Sequence, residues 1–175
     1  MRAFGLRKVF GFYLVMAAVA VIAMWRGGDL RTLAPGLDLT AWVTAIGAGL
    51  GTGGLMVVIS RVTTAHFTWA SQLANEFRAL LGAISAREAL VIALLSGIGE
   101  EALFRGTLQP TLGLWLAAVI FAVLHIGPNL RFLPWTIMAF GAGLAFGGLF
   151  WWTGNLVAPV LAHITVNYLN LRFLA

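Results

Sequence analysis

The sequence predicts an all-α protein, a polytopic membrane helical bundle of about six transmembrane helices with one further helix in the membrane interface. Of its 175 residues, 61% are hydrophobic and only 10% are charged, whereas a soluble domain carries about 25% charged residues. The mean hydropathy of +0.94 agrees with that difference. Apolar segments of about 20 residues, the length that crosses a bilayer, also recur along the chain. These observations exclude an ordinary soluble domain.

Six apolar segments follow one another, at about 9–25, 41–60, 88–108, 113–127, 132–151 and 155–171. No polar stretch of domain size interrupts them, so we expect one membrane domain over residues 1–175. The first segment is longer than the apolar core of a signal peptide, which favours a retained anchor helix. The chain has no cysteine, which excludes disulfides and thiolate chemistry.

The stretch at 61–87 is more polar, with apolar residues near helical spacing, and it predicts a helix lying in the interface. With that assignment, eight basic residues share a face with both termini: Arg2, Arg7, Lys8, Arg61, Arg78, Arg87, Arg131 and Arg172. Three fall on the other face: Arg26, Arg31 and Arg105. Since Lys and Arg concentrate on the cytoplasmic side, both termini are predicted to be cytoplasmic. The basic residues form no patch that would indicate a nucleic-acid partner.

Glycines recur on two of the predicted membrane helices. Gly47, Gly51 and Gly53 belong to the second segment, and Gly143 and Gly147 to the fifth. Small residues about one turn apart let helices approach closely in lipid. We therefore expect these positions to lie at helix–helix contacts.

Three predicted helices carry ionisable residues at similar depths. Counted from the turns at 110–113 and 153–154, Glu100 and His163 lie about 14–15 Å below one face at 1.5 Å per residue. By the same rule His125 lies about 18 Å below it. Few ionisable residues are available, so this coincidence predicts a common polar site. With the termini inside, the site is nearer the outer face.

The two adjacent glutamates are expected to have different roles. Glu101 and Arg105 stand at i and i+4, share a helix face and can form an ion pair. Glu100 points about 100° away. A carboxylate left without a cation in a low-dielectric site suits a general base, whereas the neutralised Glu101 suits a structural anchor.

The same spacing of four relates His125 to Asn129 and His163 to Asn167, and Phe121 stands one turn before His125, where it can wall the site. The Gly-Pro pair at 127–128 leaves open whether Asn129 continues the helix or lies in a loop. Interhelical hydrogen bonding without chemistry would explain the ion pair alone. It explains less well the convergence of two carboxylates, two imidazoles and two amides.

Other catalytic arrangements lack their motifs. Ser96 has no G-x-S-x-G setting for a nucleophile, and the chain has no H-E-x-x-H. In order and spacing, however, EEALFR at 100–105, FAVLH at 121–125 and HITVN at 163–167 resemble the EExxxR, FxxxH and HxxxN/D motifs of the CPBP family of intramembrane proteases. That family includes the type II CAAX prenyl endopeptidases and the bacterial Abi proteins. The resemblance covers about 85–175, and residues 1–84 match none of its motifs.

The resemblance implies hydrolysis of a peptide bond at the membrane by four catalytic residues: Glu100, His125, His163 and Asn167. The first two would activate a water, and the last two would stabilise the oxyanion. The supporting residues would be Glu101, Arg105, Phe121 and Asn129. The alternative is that the catalytic four bind a divalent ion. Two imidazoles, a carboxylate and an open position suit zinc, although an amide is a poor zinc ligand.

The implied substrate is a membrane protein or lipidated peptide, either prenylated or anchored at its C-terminus. The implied location is a bacterial plasma membrane, and the lipid bilayer is the expected surrounding. A site nearer the outer face would favour exported proteins with a C-terminal anchor. The alternative function is that of a non-catalytic membrane scaffold, or a bacteriocin-immunity-type protein, with the same buried cluster.

Overall fold

The computed structural model describes residues 3–27, 29–36 and 38–175, and within them the chain is helical, without strands. Seven α helices follow in order: α1 Ala3–Gly27, α2 Leu39–His66, α3 Thr68–Leu81, α4 Ala86–Leu103, α5 Gln109–Val123, α6 Leu133–Thr153 and α7 Val157–Leu174. A π-helical turn, Phe104–Leu108, joins α4 to α5. Short 3-10 helices lie at Asp29–Leu33 and Leu130–Phe132. The predicted all-α bundle is confirmed.

Four helical stretches are long and apolar enough to cross a membrane: Phe10–Gly27, Leu39–His66, Ala86–Val123 and Leu130–Thr153. They cover the first five predicted segments. Helix α7 covers the sixth, and its polar residues His163, Asn167, Asn170 and Arg172 lower its hydropathy. The protein is therefore a helical membrane protein.

The stretch Ala86–Val123 is not one straight rod. Gly113 has a φ of 79°, a conformation that glycine adopts without a Cβ penalty. The rings of Phe104 and Phe121 are only 4.9 Å apart, whereas seventeen residues of straight helix would separate them by about 25 Å. The chain therefore reverses at Gly113, and the part of α5 beyond Gly113 returns alongside the π-helical turn.

Helix α7 lies against α2 and α4. A Cβ on Gly49 would lie 2.5 Å from the carbonyl oxygen of Ala158, and one on Gly53 would lie 2.8 Å from the Cβ of Thr165. On α4, a Cβ on Gly97 would lie 2.6 Å from Ile164. These glycines let α7, which carries His163, lie between two helices.

The glycine prediction was right for one helix and partly wrong for the other. A Cβ on Gly143 would lie 3.1 Å from the Cβ of Ala118, and one on Gly147 would collide with Leu114. On α2, by contrast, a Cβ on Gly47 or Gly51 would have nothing within 4 Å. The packed face of α2 is that of Gly49 and Gly53, because it is the face turned towards α7.

The predicted interfacial helix is α3, which is amphipathic and buries Ala70, Leu73 and Ala74. Arginines gather at this end of the bundle. Arg61 and Arg78 lie 3.9 Å and 5.4 Å from the ring centre of Phe173, near the end of α7. Three more arginines lie at this end: Arg87 at the start of α4, Arg131 just before α6 and Arg172 at the end of α7.

Arg26 and Arg31 belong to the opposite end, after α1. Arg105, which sequence reasoning also counted on that face, is instead 1% exposed inside the bundle. Its burial follows from the pairing with Glu101. Arg2 and the side chains of Arg7 and Lys8 lie outside the described part. Among the described arginines, the α3 end therefore remains the more basic one.

Candidate active site

Three helices bring one carboxylate and two imidazoles together, as their predicted depths indicated. Oε2 of Glu100, on α4, lies 3.5 Å from Nε2 of His125. The same oxygen lies 4.0 Å from Nε2 of His163, on α7. His125 follows the end of α5, which reaches this point because the chain reverses at Gly113. Glu100 is 8% exposed, so the cluster is largely removed from solvent.

The second nitrogen of each imidazole is already engaged. Nδ1 of His125 lies 2.7 Å from the carbonyl oxygen of Phe121, which can only accept, so this nitrogen donates. Nδ1 of His163 lies 2.7 Å from Oε1 of Glu101 and likewise donates to a carboxylate. In the neutral imidazoles both Nε2 atoms therefore present lone pairs. Three acceptor atoms converge, an arrangement that attracts a hydrogen-bond donor.

Glu101 and Arg105 form the predicted ion pair, fully inside the bundle, with 0% and 1% exposure. Nη1 of Arg105 donates to Oε1 of Glu101 at 3.1 Å. Nε lies 3.1 Å from Oε2, a close ionic contact without the alignment of a hydrogen bond. Nη2 donates to the carbonyl oxygen of Gly143 at 2.9 Å. Glu101 is thus shared by Arg105 and His163, a link that sequence reasoning did not include.

Aromatic rings surround the cluster. Phe121 stacks on His125 with ring centres 4.2 Å apart, as its predicted place in the wall requires, and the guanidinium of Arg105 lies 4.7 Å from its centre. Phe146 stacks on His163 at 5.1 Å. Trp135 packs edge-on against His125 at 5.3 Å. A tryptophan near a span end is ordinarily interpreted as a lipid-interface anchor, and the sequence carries no signal that Trp135 borders the site.

Asn167 lies one turn beyond His163 on α7. Its Nδ2 donates to Oγ of Ser96 at 2.8 Å, and Ser96 stands one turn before Glu100 on α4. Oγ of Ser96 in turn donates to the carbonyl oxygen of Ala93 at 3.4 Å. Ser96 therefore orients the amide of Asn167 beside the cluster.

The structure does not bring Asn129 to the site. Helix α5 ends at Val123, and the exposed Asn129 accepts a hydrogen bond from the backbone N–H of Arg131 at 2.9 Å. It thereby caps the short helix before α6. The expectation that Asn129 supports His125 is corrected, since the Gly-Pro pair lies beyond the helix end. Thr136 instead donates to the carbonyl oxygen of His125 at 3.0 Å.

Sequence reasoning also missed Tyr13, on α1. Its hydroxyl donates to Oε1 of Glu100 at 2.8 Å. No spacing rule connects positions 87 residues apart, and a tyrosine in an apolar segment is ordinarily interpreted as an interface residue.

The zinc alternative does not fit this arrangement. In a tetrahedral site with bonds of about 2.0–2.1 Å, ligand atoms lie about 3.3 Å apart. Glu100 Oε2 and His163 Nε2 are 4.0 Å apart. No three His, Cys, Asp or Glu side chains of the described residues are grouped to hold a metal ion. The spacing of these side chains in this structure therefore does not match a tetrahedral zinc site.

Comparisons with known proteins connect this site with one family. The family model of the Rce1-like type II CAAX prenyl endopeptidases matches residues 82–169, a range that contains the four predicted catalytic residues.

A relative from Bacillus subtilis (strain 168), the uncharacterized protein YpbD, is 41% identical over 81 residues. This match covers 45% of the chain and 41% of the relative, so the chain corresponds to less than half of that protein. No solved structure matches the chain. The family match spans half of the chain and the whole Glu–His–His cluster, and the chain belongs to the Rce1-like family of type II CAAX prenyl endopeptidases.

Proposed function

We propose that the protein is an intramembrane endopeptidase that hydrolyses a peptide bond near the C-terminus of a membrane-associated protein. The observation that carries this proposal is the position of Glu100 Oε2, 3.5 Å and 4.0 Å from the Nε2 atoms of His125 and His163. A buried carboxylate beside two imidazoles, each oriented through its other nitrogen, has the composition of a site for acid–base catalysis. The family assignment supports the same activity.

Water is the nucleophile that this site suits. A water molecule bound here donates one hydrogen bond to Glu100 Oε2 and one to Nε2 of His125, which leaves a lone pair of its oxygen free to attack. As that oxygen bonds to the scissile carbonyl carbon, Glu100 takes the proton. The carbonyl oxygen becomes an oxyanion. Glu100 then returns the proton to the leaving nitrogen, the C–N bond breaks, and a carboxylic acid and an amine are released.

The oxyanion requires donors on α7. Asn167 has two N–H groups, of which one is bonded to Ser96 and the other can face the oxyanion. Nδ1 of His163 is committed to Glu101. His163 therefore donates to the oxyanion only when Nε2 also carries a proton, and Glu101 is then its counter-ion. Donors fixed before the reaction begins are effective because they need no reorganisation as charge develops.

The site is proposed to open at the α3 end. The side chain of His125 is 19% exposed, against 10% for Glu100 and 5% for His163. His125 also lies at the start of the connection between α5 and α6, near the arginine-rich end. If that end is cytoplasmic, as the basic residues favour, substrate enters from the cytoplasm. This reverses the outer-face inference made from helix depth.

The proposed substrate is a membrane protein or lipidated peptide whose tail, prenylated or C-terminally anchored, reaches the site along the bilayer. The proposed location is a bacterial plasma membrane with both termini cytoplasmic. A tail entering near α3 would pass His125 and Trp135, which are in contact, before it meets Glu100.

The experiment is a comparison of C-termini. Membranes containing the wild-type chain or the Glu100→Gln variant are analysed by mass spectrometry for shortened membrane-protein tails. We expect shortened tails with the wild type and none with the variant, because an amide cannot take the proton from water. Glu88→Gln is the matched control on the same helix, since Glu88 belongs to the capping box of α4, where glutamine serves as well.

Equal tails in all three samples would contradict the proposal and favour a non-catalytic scaffold. Cleavage retained by Glu100→Gln would refute the role given to Glu100. The variants must be present in equal amounts in the membrane, which immunoblotting verifies.

A further inference from the structure

Helix α1 contributes a side chain to the site, although it lies outside the region that matches the family model. That region covers 82–169, and Tyr13 lies far before it. The hydroxyl of Tyr13 donates to Oε1 of Glu100 at 2.8 Å. The contact joins the helix predicted to be an anchor to the residue proposed to be the base.

The close approach of α1 to α4 depends on a glycine next to the base. A Cβ on Gly99 would lie 3.3 Å from Cδ1 of Tyr13, 3.4 Å from its carbonyl oxygen and 3.0 Å from Cε of Met16. Seven residues on, a Cβ on Gly106 would lie 2.6 Å from Sδ of Met24. Two glycines about two turns apart thus form the surface on which α1 packs. The hydroxyl of Tyr13 is held over Glu100 by helix packing.

The two oxygens of Glu100 have different surroundings. Oε1 accepts from Tyr13, whereas Oε2 faces the imidazoles of His125 and His163. Three described side chains contact Glu100: those of Tyr13, His125 and His163. When both imidazoles are neutral, their N–H groups point to other partners, and only the tyrosine hydroxyl donates a hydrogen bond to Glu100. Removing it would leave a buried acceptor without a partner, which is costly, and would free the carboxylate to rotate about its last torsion, which is broad.

We propose that Tyr13 is a positioning residue of the active site, whose hydroxyl holds one oxygen of Glu100 so that the other is presented to the water and the imidazoles. This inference rests on the proposed function. It gives α1 a role in the chemistry through Glu100, and it makes residues outside the family-matched region part of the functional unit.

The kinetic test uses the chain's two tyrosines. Tyr13→Phe is compared with Tyr168→Phe in the purified full chain, with a peptide corresponding to a tail found by the mass-spectrometric comparison. We expect Tyr13→Phe to lower kcat about tenfold, which corresponds to about 1.4 kcal/mol, while KM changes little because the hydroxyl contacts Glu100 rather than substrate. Tyr168→Phe makes the same chemical change at a residue assigned no part in the site, and it should retain wild-type kcat.

A second measurement reports the contact without reference to activity. Melting temperatures of the detergent-solubilised full chain are measured for Tyr13→Phe, Glu100→Ala and the double variant. Loss of about 1 kcal/mol in a chain of this size lowers the melting temperature by about 2–4 °C. We expect Tyr13→Phe to have that effect in the wild type and little effect once Glu100 is alanine, since the partner is already gone.

The outcomes separate the two proposals. Equal kcat for the two tyrosine variants, in an active enzyme, would overturn the positioning role and leave the proposed function standing. Additive effects in the thermal comparison would overturn the contact itself. If the wild type cleaves nothing, the proposed function fails and the positioning role fails with it, whereas thermal coupling would still establish the bond between Tyr13 and Glu100.

Discussion

Glu101 accepts a hydrogen bond from Nδ1 of His163 at 2.7 Å through the same oxygen that Arg105 contacts at 3.1 Å. One buried carboxylate thus orients an imidazole on α7 and neutralises a guanidinium in the turn after α4. The second glutamate of the pair, which the motif alone presents as an anchor, determines which way His163 faces. Its loss should therefore affect both stability and activity.

Replacement of Glu101 by alanine should be among the most damaging changes in the chain. It leaves the guanidinium of Arg105 buried without a counter-ion, and breaking a buried ion pair costs about 3–5 kcal/mol. We expect a large fall in melting temperature in detergent together with loss of cleavage. Glu101→Gln should be less destabilising, since its carbonyl oxygen can still accept from His163. Equal melting temperatures for Glu101→Ala and the wild type would contradict the buried pair.

Replacement of His125 and of His163, the two histidines of the site, should affect the stability of the fold differently. His125→Ala should lower kcat by about 10²–10⁴-fold, as loss of acid–base assistance does, with a small effect on the melting temperature, because the side chain is 19% exposed. His163→Ala should abolish cleavage and also destabilise the protein, since it leaves Glu101 with one partner fewer inside the bundle. Thermal melting of both variants distinguishes these cases, and equal destabilisation would be evidence against the arrangement.

The two asparagines that stand four residues after His125 and His163 should behave oppositely. Asn167→Ala should lower kcat by about 10²–10³-fold, the usual effect of removing an oxyanion donor, with little change in KM. Asn129→Ala should retain full activity, because the exposed Asn129 caps a short helix away from the site. Steady-state kinetics on both variants is the measurement. A catalytic defect in Asn129→Ala would show that the loop before α6 moves into the site.

Two adjacent glycines on α2, Gly53 and Gly54, allow the packing of this helix against α7 to be tested with matched variants. A Cβ on Gly53 would lie 2.9 Å from the carbonyl oxygen of Ala162, beside His163, whereas one on Gly54 would have nothing within 4 Å. We expect Gly53→Ala to cost about 1–3 kcal/mol, as overpacking does, and to reduce cleavage by displacing α7. Gly54→Ala should be neutral in both thermal melting and activity. The reverse order would mean that α2 packs through a different face.

Metal removal tests whether the site works without a bound ion. Treatment of the purified enzyme with a strong chelator, followed by desalting, should leave kcat and the melting temperature unchanged. Elemental analysis of the untreated protein should find less than one zinc per chain. Loss of cleavage on chelation, restored by added zinc, would show that Glu100, His125 and His163 close around a metal.

The sequence allowed the central cluster to be predicted because depth can be counted along a membrane helix. Glu100, His125 and His163 needed only turn positions and the rise per residue. Tyr13 could not be found in this way, since nothing in an apolar helix shows which side faces the base. The same ambiguity explains why Gly47 and Gly51 were expected at a contact that Gly49 and Gly53 make. When every face of a helix is apolar, periodicity cannot identify the packed one.

Side-chain contacts could be predicted where the two contacting residues are close in sequence. The pair of Glu101 and Arg105 follows from the spacing alone. The contacts of Trp135 with His125, and of Glu101 with His163, depend instead on where α5 ends and how α7 is inserted. Asn129 was misplaced for the same reason, because a helix that stops at Val123 cannot carry it along the face of His125.

The buried ion pair also bears on how the chain is assembled in the membrane. Glu101 and Arg105 belong to one continuous segment, one turn apart, and contact each other at 3.1 Å. They can neutralise each other as soon as that turn forms, before α6 and α7 are synthesised. A lone charge at the centre of an inserting helix is penalised by about 2.5–3.5 kcal/mol. Mutual neutralisation during translocon-mediated insertion therefore lets this segment partition into lipid, and α7, which carries His163, can dock on it afterwards.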